Sequence, residues 1–230
     1  KRGFSLYIHL LPYMEMSNLY GMWDFTDPDK AFVGDMDSNA AKGPNLLCPS
    51  EPSDENPLNY GNKHIQSGTT MPPRHIKVTS YCGNSGTRSY HPDSGFYKAD
   101  GVFIMTGPDS QPKPNQSPIK MASITDGTSN TFFFGERSRT DANYDSFAAQ
   151  GWDWELKYYG NWCGASRLVG SHQTLSGYSP INYTVPFSYE NRAIASPPCS
   201  STQDFKYYID MRLCAYGSSH PGGANISYAD

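Results

Sequence analysis

Charge is scarce in this chain: Asp, Glu, Lys and Arg supply 17% of 230 residues, below the usual quarter, and the net charge of −4 is thinly spread. No cluster of Lys and Arg exists that could track a phosphate backbone, which argues against a nucleic-acid partner. Long apolar runs are missing too. None approaches the roughly 20 residues needed to span a bilayer. Neither a cleavable leader nor an initiator Met opens the chain, so the numbered sequence reads as a processed or partial one. The five cysteines (Cys48, Cys82, Cys163, Cys199, Cys214) form no CxxC pair and show no zinc-like spacing. They read as a mixture of buried thiols and disulfides. Cys199 and Cys214 are the closest pair, and a bridge there would close a loop of about 15 residues, worth on the order of 3 kcal/mol. The odd count leaves one thiol over.

What the chain has in quantity is 17 Tyr, 21 Gly and 18 Pro, against an apolar fraction of only 37%. That mixture suits short strands joined by many turns. Phe4, Leu6, Ile8 and Leu10 alternate with Ser5, Tyr7 and His9, which predicts a half-buried strand over 4–10. Pro12 then opens a short helix over 12–22, with Met14, Leu19, Met22 and Trp23 on one face. Residues 26–75 read as loop, anchored by Leu46-Leu47-Cys48-Pro49-Ser50. Strands are expected at 76–81, 101–105 and 131–134, with a turn over 82–86 and a proline-rich surface loop over 107–118. Asp126-Gly127 is the turn before the aromatic strand. Residues 137–215 are the least regular, and Ala224, Ile226 and Tyr228 alternate in a last strand. The economical reading is one α+β domain over 1–230, with an antiparallel β-sheet, long loops and a variable elaboration at 137–215.

Catalytic signatures are weak. Ser219 and His220 are neighbours that point to opposite faces of an extended chain, and no Gly-x-Ser-x-Gly elbow exists. The six histidines include no i, i+4 pair. His220-Pro221-Gly222-Gly223 superficially matches a haem-ligating stretch, but a strand follows it directly. It reads better as a tight glycine turn whose imidazole hydrogen-bonds across the turn. Asp35, Asp37 and Asn39 have the oxygen spacing that opens a calcium loop, but Ala40 and Leu46 stand where an EF-hand needs Gly and Glu. They are kept as candidates for a calcium site of another type, with Asp24, Asp27 or Asp29 assisting. Trp152, Trp154 and Trp162 read as core aromatics more than as a sugar-stacking face.

Several stretches taken together carry a family resemblance. They are Leu10-Leu11-Pro12-Tyr13-Met14-Glu15 with Asn18-Leu19-Tyr20, Cys48-Pro49-Ser50, Ser80-Tyr81-Cys82-Gly83-Asn84 and Asp100-Gly101-Val102-Phe103. Ile124-Thr125-Asp126-Gly127-Thr128-Ser129-Asn130-Thr131 through Gly135-Glu136 follows, and Ser219-His220-Pro221-Gly222-Gly223-Ala224-Asn225 through Asp230 closes the set. In this order they resemble the bacterial H-x9-DG family of prepilin-like proteins, a domain-of-unknown-function family similar to type IV pilins and type II secretion pseudopilins.

The resemblance implies a globular head carried on an N-terminal hydrophobic helix that is absent from this chain. Lys1-Arg2-Gly3-Phe4-Ser5-Leu6 imitates a prepilin cleavage site, but it leads into the Leu-Pro-Tyr segment and not into an apolar helix. It implies no enzyme, no catalytic residues and no cofactor. His220, Gly222, Gly223 and Asn225 would form a structural turn into the final strand, and Asp126-Gly127 the turn before residues 131–134. The family pattern continues past Asp230 with Gly and a return strand, so the partner of Ile226 and Tyr228 is expected to be truncated or supplied by another element.

The implied role is that of a structural subunit of a surface filament or secretion-type pseudopilus. It would form homo-oligomers through the missing helix, lie extracytoplasmic at the cell surface, and be anchored in the inner membrane before assembly. The alternative is a surface adhesion or binding module whose long loops hold calcium or a glycan.

Overall fold

The computed structural model describes residues 4–23, 25–26, 41–52, 55–60, 75–89, 98, 100–104, 106, 116–163, 173–220 and 222–230. Along the chain run helix α1 (Leu6–Leu10), helix α2 (Ser17–Tyr20), strands β1 (Leu58–Asn59), β2 (His75–Ile76), β3 (Tyr81–Asn84) and β4 (Phe132–Glu136), then helix α3 (Ala142–Ala148), strand β5 (Thr174–Leu175), helix α4 (Thr202–Cys214) and strand β6 (Ile226–Tyr228). Helices and sheets are mixed in one α+β architecture. Among the described residues no helix is long and apolar enough to cross a membrane.

The strand expected over 4–10 is a helix. Ser5 caps it, its hydroxyl accepting from the Tyr7 amide at 3.0 Å, and Pro12 starts the 3-10 turn Leu11–Met14 that continues it. Burial falls on Tyr7, Ile8 and Leu11, which is helical spacing, whereas alternation would have buried Leu6 and Leu10. Glu15, at φ 60°, breaks the helix expected over 12–22, and only α2 resumes it. These turns pack with Leu58, Tyr60, Ile76, Val78 and Trp162 in a first core, so Trp162 is the core residue its sequence context suggests.

The main sheet has strand order β5-β3-β4-β6. It is mixed, not purely antiparallel: β4 is antiparallel to both β3 and β6, whereas β5 joins β3 in parallel. The strand expected over 76–81 divides into β2 and β3, so the turn expected over 82–86 is mostly strand. Gly101 and Phe103 bond to the end of β3 through Ser85 and Asn84 without forming the expected strand there; Met105 lies outside the described residues. That approach needs glycine on both sides. A Cβ on Gly101 would stand 2.0 Å from the Gly86 amide nitrogen, and Gly86 has φ +99°.

Residues 137–215 are more regular than composition suggests. They hold α3 and α4, whose aromatic faces meet in a second core where Phe147 and Phe205 stack at 4.0 Å. Ser201 and Asp204 cap α4 reciprocally, and Phe205, Tyr208, Ile209, Arg212 and Leu213 follow on its buried face. Cys199 and Cys214 stand at opposite ends of α4, about 20 Å apart at 1.5 Å per residue, and both are free thiols. The intervening helix is what prevents the bridge that their closeness in sequence suggests.

Candidate functional site

The side chains of Cys48, Glu136 and His220 come from three remote segments, and one ligand atom of each lies within 4.8 Å of the others. Each segment is placed by ordinary local physics. Cys48-Pro49-Ser50-Glu51 is a β-turn closed by the Glu51 amide on the Cys48 carbonyl at 2.9 Å, with Pro49 at its second position. The turn is held against the sheet by the Leu46–Thr79 bridge and by the Ser80 amide on the Leu46 carbonyl at 2.9 Å. Glu136 ends β4 opposite Tyr81 of β3, so both side chains share one face. On the other face Gly135 leaves room for the ring of Tyr216: a Cβ there would meet Tyr216 Cδ1 at 2.3 Å.

His220 lies within a turn that its imidazole does not close. Ser218 closes it instead, donating from Oγ to the Gly223 carbonyl at 2.6 Å while accepting from the His220 amide at 3.0 Å. The expected hydrogen bond of the ring across its own turn is therefore replaced by contacts far along the chain. His220 Nε2 lies 3.2 Å from Cys48 Sγ and 3.6 Å from Glu136 Oε1, and Nδ1 lies 3.0 Å from Ser50 Oγ. Gly222 does supply the left-handed backbone expected of it, at φ +97°.

Asn225 completes the arrangement by gripping the carboxylate twice, from its amide to Oε2 at 2.7 Å and from Nδ2 to Oε1 at 3.0 Å. Burial alone would push Glu136 up. The Asn225 bonds, with Cys48 and His220, outweigh it and hold the carboxyl below its ordinary value. Burial, with Glu136 beside it, pushes the Cys48 thiol up. Glu136 and Cys48 are buried, while the His220 side chain is 36% exposed and forms the solvent side of the cluster.

The Cys48 thiol is not placed as the nucleophile of a nucleophile–base relay. In such a relay the carboxylate orients one imidazole nitrogen and the nucleophile takes the other. The Cys48 thiol does not fit that order, because thiol and carboxylate converge on the same nitrogen, Nε2, while the Ser50 hydroxyl holds Nδ1. The three ligand atoms lie within 4.8 Å of one another, and thiolate, imidazole and carboxylate are a donor set for a borderline transition metal.

Of the other residues singled out in the sequence, Asp126 and Gly127 form the expected turn, exposed and with Gly127 at φ +88°. Asp230 is exposed at the end of the chain. Asp35, Asp37 and Asn39 lie outside the described residues, as do Asp27 and Asp29. Trp152 and Trp154 are partly buried against the second core. The last strand pairs with β4, so its partner is supplied by another element.

Spacing does not mark Cys48, Ser50 and Glu136 as site residues, since 88 positions separate Cys48 from Glu136 (136 − 48). The signal was nonetheless present: Cys48-Pro49-Ser50, Gly135-Glu136 and His220 through Asn225 are all stretches that carry the family resemblance.

Fold and cluster together define an α+β protein whose closing segment meets its sheet in a partly buried Cys–His–Glu constellation. The chain belongs to the family described as a protein of unknown function (DUF1559), whose model matches residues 1–230. No curated protein and no solved structure matches it.

Proposed function

We propose that this chain is a non-catalytic structural subunit, the extracytoplasmic head of a pilin- or pseudopilin-like protein that assembles into a surface filament or secretion-type pseudopilus. One observation carries the reading. Cys48, Ser50, Glu136, His220 and Asn225, all from the stretches that resemble prepilin-like proteins, meet in a fastener that ties the closing segment to β4. A head that bears load in a filament needs its terminal strand fixed, because a three-residue strand held on one side by an irregular ladder is weak alone. The double grip of Asn225 on the Glu136 carboxylate supports a holding role.

The test compares residues 1–230 with the full gene product, each sized in solution and imaged by negative-stain electron microscopy. The head alone is expected to be monomeric, and the full product to form filaments or membrane-bound assemblies. A full product that stays monomeric without detergent overturns the proposal.

A further inference from the structure

We propose that Cys48 Sγ, His220 Nε2 and Glu136 Oε1 form a zinc site, with the metal at the point where the three atoms converge. This goes beyond the filament reading and stands without it. The separations fit. Ligand atoms about 2.0–2.3 Å from a tetrahedral zinc lie roughly 3.2–3.7 Å from one another. The Sγ–Nε2 and Nε2–Oε1 distances are 3.2 and 3.6 Å, and all three ligand atoms lie within 4.8 Å of one another.

The outer shell is built as well. A metal-binding histidine normally has its second nitrogen held by a hydrogen-bond partner, and its carboxylate neighbours are gripped in turn. Ser50 Oγ holds Nδ1 at 3.0 Å, which leaves Nε2 free of its proton when the ring donates from Nδ1. Asn225 grips both oxygens of Glu136.

The donor set selects the metal. One sulfur, one nitrogen and one carboxylate oxygen suit zinc and disfavour calcium or magnesium, which take oxygen shells. Binding replaces the thiol proton, released to solvent, with the metal. Three protein ligands leave a fourth position for water, and His220, 36% exposed, is the ligand on the solvent side.

The bound ion would join the Cys48 turn, the end of β4 and the segment leading into β6, which are separated by 88 (136 − 48) and 84 (220 − 136) positions in the chain.

The test uses metal-free reduced protein titrated calorimetrically with Zn²⁺, alongside Co²⁺ substitution read by absorption. One equivalent of Zn²⁺ is expected, undisturbed by excess Ca²⁺ or Mg²⁺, and the Co²⁺ protein is expected to show a thiolate-to-metal charge-transfer band. Cys48→Ser should abolish that band. His220→Gln, at the exposed edge where the fold is least at risk, should weaken Zn²⁺ by more than the roughly 10–100-fold that outer-shell partners carry, and Ser50→Ala by about tenfold. His75→Gln, at an exposed histidine elsewhere, should change nothing. Absence of Zn²⁺ binding, a Co²⁺ spectrum without the thiolate band, or unchanged affinity in His220→Gln would each overturn the site. Failure of filament assembly would leave all these readouts untouched.

Discussion

Replacing Asp141 with alanine should be among the most damaging single changes available in the second core. The carboxylate does three jobs at once. Oδ1 caps α3 by accepting from the Tyr144 amide at 3.0 Å, while Oδ2 accepts from the Val185 amide at 2.9 Å and from Arg212 Nε at 3.1 Å. The Asp141 and Arg212 side chains are 2% and 3% exposed. Burial pulls the Arg212 guanidinium down from its usual pKa, and Asp141 is the charge that opposes this. Loss of the cap costs about 1 kcal/mol. The orphaned Val185 amide adds about 1–3 kcal/mol, and breaking a buried pair from one side about 3–5 kcal/mol.

The terms overlap, because Arg212 keeps its bonds to the Ser138 and Thr140 carbonyls, so about 4 kcal/mol is expected in all. At an m-value of about 2 kcal/mol/M that moves the urea midpoint down by about 2 M, read by tryptophan fluorescence and far-ultraviolet circular dichroism together. The double variant Asp141→Ala/Arg212→Met should recover about 2 kcal/mol, since no charge is then left buried alone. A single-variant cost below about 1 kcal/mol, or a double variant less stable than the single, would refute the reasoning.

Two further outcomes follow from the same geometry. Gly135→Ala places a Cβ 2.3 Å from Tyr216 Cδ1, and should cost about 1–3 kcal/mol, or roughly 2–12 °C in thermal midpoint; an unchanged midpoint would show that the Tyr216 ring moves aside freely. Asp153 concerns pH. Burial raises its carboxyl above the ordinary value despite hydrogen bonds from Tyr144 and Tyr159, so the folded state holds that proton more tightly than the unfolded. Its contribution to stability is complete below the ordinary carboxylate range and is lost as pH rises through the raised value. Between about pH 7 and about pH 4, wild type should therefore gain stability relative to Asp153→Asn on acidification, and parallel urea titrations of the two with equal pH slopes would contradict it.

The strand β4, the turn at Asp126-Gly127 and the last strand were legible because each rests on local chemistry: an aromatic run, a glycine at positive φ, a short alternation. The first helix was not. Phe4 to Leu10 alternates cleanly, and the pattern read as a strand because Tyr7 was counted among the polar residues. In the fold Tyr7 is buried and its hydroxyl donates to the Tyr81 carbonyl, so the true apolar set is 7, 8 and 11. Helix α4 was missed for a related reason. Its inner face includes Tyr208 and Arg212, whose polar ends reach the Pro197 carbonyl and Asp141, so the stripe looks mixed until those partners are known. In both helices the sequence hid a core residue behind a polar atom satisfied over long range.

The same blindness explains the cluster. Cysteine spacing argues for zinc only when the ligands share a local loop, and here no two ligands do. What brings them together is the sheet: the Leu46–Thr79 bridge sets the Cys48 turn beside β3, the β3–β4 register sets Glu136 over Tyr81, and the β4–β6 pairing returns the chain next to His220. The Cys-Pro-Ser, Gly-Glu and His-to-Asn stretches seemed separate signatures of an architecture. In the folded chain they are parts of one object, since Gly135 admits Tyr216 on one face so that Glu136 can meet Cys48 and His220 on the other. Short motifs scattered over a chain are therefore better tested for convergence in space than for chemistry one at a time.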